Sequence, residues 1–129
     1  MARLVLDASV LIAYFDPADA HHSRVVAMMQ ATAGDERIVI ASVLAEILGH
    51  PYRAGGDAVD EVEAALAALT ISLRPVDADV ARRAAQLRAS NARFRLGDAF
   101  VIAAGDVFDA DVLTADAAWS RATRRVRVV

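Results

Sequence analysis

Short runs of aliphatic residues alternate along this chain with longer stretches of helical spacing. Arg3–Leu6 carries three consecutive aliphatics and predicts a strand. Ala8–Phe15 predicts a helix closed by Asp16-Pro17, because a residue before proline leaves the helical region. Ala20–Ala33 sets Val25, Val26 and Met29 at helical spacing and stops at Gly34-Asp35. Arg37–Ala41 predicts a second, β-branched strand, and Ser42 stands where it can cap a helix running to about Tyr52. Gly55-Gly56 is a break, after which Asp57 is placed to cap a helix reaching Leu69. Ile71–Val76 predicts a strand, Asp77 a cap for the helix Ala78–Ser90, and Asp98–Phe108 a further helix. Asp111–Thr114 and Val126–Val129 read as short strands flanking a last helical turn near Trp119.

Strands alternating with helices imply right-handed crossovers and an α/β fold, a parallel sheet covered on both faces. The 129 residues suit one domain, 1–129, and no repeat or linker divides it. In such sheets ligands bind beyond the carboxyl ends of the strands, where strand order reverses. Asp7 directly follows the first strand, Glu46 lies about one helical turn beyond the second, and Asp116 lies just beyond the strand ending at Thr114. Asp98 opens the helix leading into that strand and joins the group if that helix end faces the same edge. Carboxylates gathered at one point need a positive charge to hold them. A hard dication is the simplest such charge, and it brings phosphate chemistry with it.

Composition narrows that chemistry. The chain has no cysteine, which excludes disulfides, thiolate-bound zinc and thiol nucleophiles. An oxygen-only donor set suits Mg²⁺ or Mn²⁺ over zinc or copper. Hydrophobic residues make up 57%, too many for intrinsic disorder, and the net charge of −3 does not draw polyanions to the molecule as a whole. All 14 basic residues are arginine, a bias that a GC-rich coding sequence explains by itself. Arg82, Arg83, Arg88, Arg93 and Arg95 form one group, and Arg121, Arg124, Arg125 and Arg127 another. Most read as solvated surface; Arg93, Arg95 and Arg121 lie nearest the acids in sequence and are the candidates for steering nucleic-acid phosphate. The first fifteen residues resemble a secretory signal only until Asp7 interrupts the apolar run, and Asp16-Pro17 ends it without a small-residue cleavage site. No stretch approaches the roughly 18 apolar residues of a membrane span, so a soluble, cytoplasmic protein is expected.

Each acid also has a plainer reading. Asp7 or Ser9 can cap a helix, as can Asp98 after Gly97, while Asp116 can make an Asx turn and Glu46 can sit on a solvated stripe. His21 and His22 beside Asp16 and Asp19 resemble a metal cluster, but adjacent helical residues point about 100° apart. His50-Pro51 reads as a helix end, and Asp77, although it follows a strand, as a plain cap. There is no Gly-rich phosphate loop and no G-x-S-x-G elbow.

In order along the chain, Leu6-Asp7-Ala8-Ser9, the pair Ser42 and Glu46, Leu96-Gly97-Asp98-Ala99 and Leu113-Thr114-Ala115-Asp116 resemble the motifs of PIN-domain nucleases. Length, motif order and the Asp16…His21/His22 stretch resemble the VapC toxins of bacterial toxin–antitoxin pairs, and the resemblance covers essentially the whole chain. It implies a PIN-like three-layer fold, a parallel β-sheet flanked by helices. It implies Mg²⁺ or Mn²⁺ at an acidic set of Asp7, Glu46, Asp98 and Asp116, with Asp7 and Asp98 the firmest ligands, Asp116 next, and Glu46 acting through water. Ser9 and Thr114 would be minor contributors. It further implies an endoribonuclease toxin that cleaves RNA phosphodiester bonds, a homodimer, and a cognate VapB-like antitoxin whose tail occupies the active-site groove. Three other readings stay open: a catalytically silent PIN-like module that binds RNA or protein, a metal-dependent phosphatase or DNA nuclease, and a structural α/β protein whose acids are only caps.

Overall fold

The computed structural model describes residues 2–129; Met1, the first residue of the expected 1–129 domain, lies outside them. The order of elements is β1 (Arg3–Leu6), α1 (Ala8–Phe15), α2 (His22–Ala31), β2 (Glu36–Ile40), α3 (Ala41–Ala54), α4 (Ala58–Ala68), β3 (Ser72–Arg74), α5 (Ala78–Ser90), α6 (Leu96–Val107), β4 (Asp111–Thr114), a 3₁₀ turn (Ala117–Arg121) and β5 (Val126–Val128). The five strands form one sheet in the order β3-β2-β1-β4-β5, and every pairing is parallel. This is the expected α/β architecture. Leu4, Val5 and Leu6 of β1 and Ile38, Val39 and Ile40 of β2 are all fully buried. Successive side chains on a strand point to opposite faces, so both faces of the central strands are covered.

The chain lays β2 and β3 on one side of β1, then returns to place β4 and β5 on the other. Strand order therefore reverses between β1 and β4, where Leu6 pairs with Leu113. Because all strands are parallel, their carboxyl ends share one edge. Residues just past Leu6 and Thr114 meet at the position where α/β sheets hold ligands.

Several boundaries differ from the sequence expectation for local reasons. The helix expected over Ala20–Ala33 starts only at His22, because Asp16 and Asp19 accept from the amides of Ala18 and His21 and hold two successive turns open. Ser42 does not cap α3. Ile40 is already extended at the cap position, so β2 runs straight into the helix, and the Ser42 hydroxyl is buried without a partner. His50-Pro51 does not end α3 either. The helix continues to Ala54 with Pro51 buried inside it, and stops where Gly55 takes a positive φ of 75°. Asp57 occupies the cap position of α4 without a side-chain bond, whereas Asp77 does cap α5 by accepting from the Val80 amide at 3.0 Å. Asp98 does not open α6; Arg95 holds the cap position, and Asp98 is the third residue of the helix. The buried Arg37 of β2 donates to the carbonyls of Met29 and Leu69, tying the ends of α2 and α4 to the sheet. Among the described residues no helix is long and apolar enough to cross a membrane.

Gly105 lets α6 lie against β4. A methyl group there would stand 2.5 Å from Val112 Cγ2 and 3.1 Å from the Ala110 carbonyl oxygen. Val112 is in β4 and Ala110 immediately precedes it, tied to Gly105 by its own amide, so helix or strand must shift. Gly105→Ala is expected to destabilise the protein by about 1–3 kcal/mol. The check is urea unfolding, with a lower midpoint at unchanged slope; a midpoint at or above wild type would contradict the packing.

Candidate metal centre

The carboxylate of Asp7 is buried at the end of β1, and its amide extends the ladder by donating to Leu113 O at 2.9 Å. Asp7 occupies the cap position of α1, yet its side chain caps nothing. Instead Oδ2 accepts from the Ser9 hydroxyl at 2.7 Å and from the Thr114 hydroxyl at 2.9 Å. The direction of these bonds follows from the backbone. The Ala115 amide donates to Ser9 Oγ at 3.0 Å, and the Asp116 amide donates to Thr114 Oγ1 at 3.1 Å. An amide can only donate, so each hydroxyl accepts there and has its single proton left for Asp7. Both bonds fall on Oδ2, which leaves the lone pairs of Oδ1 for another partner. This network joins the ends of β1 and β4 at the switch point.

Asp116 meets its Asx-turn reading and goes beyond it. Oδ1 accepts from the Ala118 amide at 2.9 Å and opens the 3₁₀ turn, while Oδ2 is not needed for that turn. Asp98, half-buried, sits in the first turn of α6, where the helix dipole favours an anion. Its carboxyl is nonetheless pushed above the usual 3.8, first by burial, then by the charges of Asp7 and Asp116, with Arg95 pulling the other way. Glu46, from α3, is partly open to solvent; partial burial, then Asp7 and Asp98, push its carboxyl above 4.5. A methyl group on Gly97 would lie 2.9 Å from Glu46 Oε1, so Glu46 rests on the first turn of α6 beside Asp98.

Four elements thus bring Asp7, Glu46, Asp98 and Asp116 within electrostatic reach of one another. They are not a closed cage: among the described residues no three His, Cys, Asp or Glu side chains stand close enough to hold an ion as they are. The donor chemistry still fits a hard dication. All donors are carboxylate oxygens, and Mg²⁺ characteristically keeps several waters and uses only one or two protein carboxylates. A cleft of about 690 Å³ opens beside the acids, with Asp98 and Asp116 in its lining, Asn91, Arg93 and Phe94 on the α5–α6 loop, and Trp119 and Arg121 on the 3₁₀ turn.

The PIN domain family model matches residues 4–125. The chain belongs to the PIN domain family. Among curated proteins none matches it in sequence. Solved structures share the fold of this PIN domain at low identity. VapBC2 from Rickettsia felis bound to a promoter DNA fragment aligns with a TM-score of 0.76 at 10% identity, covering 98% of this chain and 97% of that one. A toxin–antitoxin complex from Klebsiella pneumoniae aligns at 0.76 and 16% identity, covering 97% and 96%. Mycobacterium tuberculosis VapC20, a sarcin-ricin loop cleaving toxin, aligns at 0.74 and 19% identity, covering 92% and 94%.

The PIN fold sorts the remaining candidates. Arg93 and Arg121 line the cleft from separate segments, and Arg95 acts on Asp98 through its charge. None of the three is paired with a carboxylate among the described residues, whereas Arg82, Arg83, Arg125 and Arg127 are paired with Asp79, Asp106, Asp109 and Asp111. His21 and His22 are not brought to the acids: His21 lies 3.4 Å from Asp19, and His22 Nδ1 bonds the Ala13 carbonyl at 2.7 Å. Tyr14 and Phe15 pack edge to face on each other. Asn91 and Phe94 line the cleft without any sequence signal that pointed to them.

The raised carboxyls of Asp98 and Glu46 set the sign of a pH effect. The folded, metal-free protein holds these protons more tightly than the unfolded chain does. Their contribution therefore favours folding at low pH and is lost as pH rises from about 4 through the raised values. In EDTA, the Tm of Asp98→Asn is expected to fall less steeply than wild type between pH 4 and 8, and to exceed it at pH 7. Parallel profiles would contradict the electrostatic strain.

Proposed function

We propose that this PIN domain is a metal-dependent endoribonuclease of the VapC toxin type, neutralised by a VapB-like antitoxin. The observation that carries this reading is the Asp7 network at the switch point. A carboxylate held on one oxygen by two hydroxyls, and flanked by three more acids from separate elements, has no structural need that a cap would meet. Asp7 and Asp98 would be the main holders of Mg²⁺ or Mn²⁺, with Asp116 Oδ2 next. When bound, the ion lowers the pKa of water and draws charge from a phosphate oxygen.

The chain's own residues supply the rest. Ser9 and Thr114 fix the rotamer of Asp7. Glu46, whose carboxyl is raised above its ordinary value by burial and by Asp7 and Asp98, would be suited to take a proton from the attacking water. Arg93, Arg95 and Arg121 offset the acids, so a polyanion can approach a centre that would otherwise repel it. An apolar groove of about 440 Å³, lined by Ile12, Phe15, Ile47, Pro51 and Val62, runs up to Glu46. A peptide lying in it would reach the acids, which suits an antitoxin segment; the Rickettsia and Klebsiella relatives are themselves toxin–antitoxin complexes. A homodimer, a cytoplasmic setting and an RNA target complete the proposal by family likeness.

A second reading has one observation in its favour: the acids are not closed round an ion, as in a catalytically silent module that only binds RNA or protein. One experiment separates the two. Labelled tRNA, rRNA and mRNA fragments, with single-stranded DNA alongside, are incubated with the protein in Mg²⁺, Mn²⁺ or EDTA. Discrete cuts in RNA that need metal, and a loss of at least about 100-fold in Asp98→Asn, are expected. RNA bound but uncut by folded, antitoxin-free protein in either metal would favour the silent module. Arg93→Gln and Arg121→Gln should each weaken RNA binding and lower the slope of log K against log salt by about 0.7.

A further inference from the structure

Gly97 stands at the second position of α6, where the backbone does not call for glycine. Its φ is outside the left-handed region, and glycine is among the poorest helix formers. What a side chain at this position would meet therefore bears on why it is glycine. Within 4 Å, a Cβ at this position would meet Glu46 and no other residue: Oε1 at 2.9 Å and Cδ at 4.0 Å. Gly105, later in the same helix, would meet Val112 and the Ala110 carbonyl and so serves the fold; Gly34 would meet nothing.

We propose that Gly97 is a positioning residue of the metal centre, leaving open the space in which Glu46 lays its carboxylate against the first turn of α6 beside Asp98. This rests on the metal-centre reading above. Glu46 reaches in from α3 on a long side chain that is partly open to solvent, so some surface must limit where its carboxylate goes. The bare backbone at position 97 is that surface, at a helix end whose dipole favours an anion. A methyl group there would stand 2.9 Å from Oε1, closer than such a contact allows, so one of the two must shift. The carboxylate is the far end of a flexible chain, whereas the helix is held by its own hydrogen bonds, so the carboxylate moves and the helix stays. The effect of a side chain at position 97 therefore falls on the site and not on the fold.

The test is calorimetric titration of Mn²⁺ into the full chain freed of metal, with Tm measured alongside. The proteins are wild type, Gly97→Ala, Glu46→Ala, both together, Gly97→Ala with Glu46→Asp, and Asp98→Asn. Gly97→Ala is expected to weaken Mn²⁺ binding about tenfold or more, in the range seen when groups supporting a metal's ligands are lost. Its metal-free Tm should match or exceed wild type, because alanine is the better helix former. With Glu46 already alanine, adding Gly97→Ala should leave Mn²⁺ affinity where Glu46→Ala put it, so the two changes are not additive. Glu46→Asp, one methylene shorter, should recover part of the loss caused by Gly97→Ala. Wild-type Mn²⁺ affinity in Gly97→Ala overturns the proposal, as does an equal loss with and without Glu46. In either case, binding abolished by Asp98→Asn leaves the metal centre standing. Absence of Mn²⁺ binding by wild type overturns the metal centre, and the role of Gly97 with it.

Discussion

The Thr114 and Ser9 hydroxyls hold Asp7 by one oxygen, and the geometry of the whole site hangs on that grip. Thr114 is the last residue of β4, Ser9 is in the first turn of α1, and Asp7 is the first residue past β1. Two backbone amides orient the hydroxyls, and the hydroxyls orient the carboxylate. Strand pairing between Leu6 and Leu113 thus passes directly into the placement of a carboxylate oxygen. The same amide that orients Thr114 belongs to Asp116, so Asp7 and Asp116 are set relative to each other by a single hydroxyl. Parallel topology makes this economical. Reversal of strand order leaves one gap at the sheet edge, and the two strands beside it supply both acids.

Gathering four carboxylates at that gap works against folding. Asp98 and Glu46 hold their protons more tightly in the folded chain, mainly through burial and then through the other acids. Buried aliphatic strands on either side support this strain, and Arg95 relieves part of it at Asp98. Asp7 does not make the cap it is placed to make, so helix capping does not account for its position. The arginines divide the same way. Six of them, Arg3, Arg74, Arg82, Arg83, Arg125 and Arg127, pair with acids elsewhere on the molecule, while Arg93 and Arg121 line the cleft beside Asp98 and Asp116 with no carboxylate partner among the described residues.

Much of this was legible in the sequence because it depends on local pattern. Unbroken aliphatic runs marked the central strands, Asp16-Pro17 marked the end of α1, and the alternation of elements implied the parallel sheet and hence the edge where Asp7 and Asp116 meet. What the sequence left open were choices between two roles for one residue type. Asp-Ala-Ser reads equally as a cap and as a metal ligand; only the fold shows that the carboxylate caps nothing and is held instead by Thr114, 107 residues away. Ser42 looked like a cap, but β2 enters α3 without a loop and leaves its hydroxyl buried. Pro51 looked like a stop, yet α3 runs on past it to a glycine that takes positive φ. Arg37 read as part of an ordinary strand, while in the fold it reaches the ends of two helices that no spacing rule connects to it. Gly97 read as lying just before the helix Asp98–Phe108; only the fold places it inside α6, against Glu46.

The most direct measurement is the anomalous scattering of crystals soaked in Mn²⁺. The arrangement of acids predicts a peak at the carboxyl ends of β1 and β4, within about 2.2 Å of an oxygen of Asp7 or Asp98 and completed by waters, with Asp116 adjacent. Crystals soaked at saturating Mn²⁺ that show no peak there, or a peak only elsewhere on the molecule, would contradict a metal centre built on Asp7.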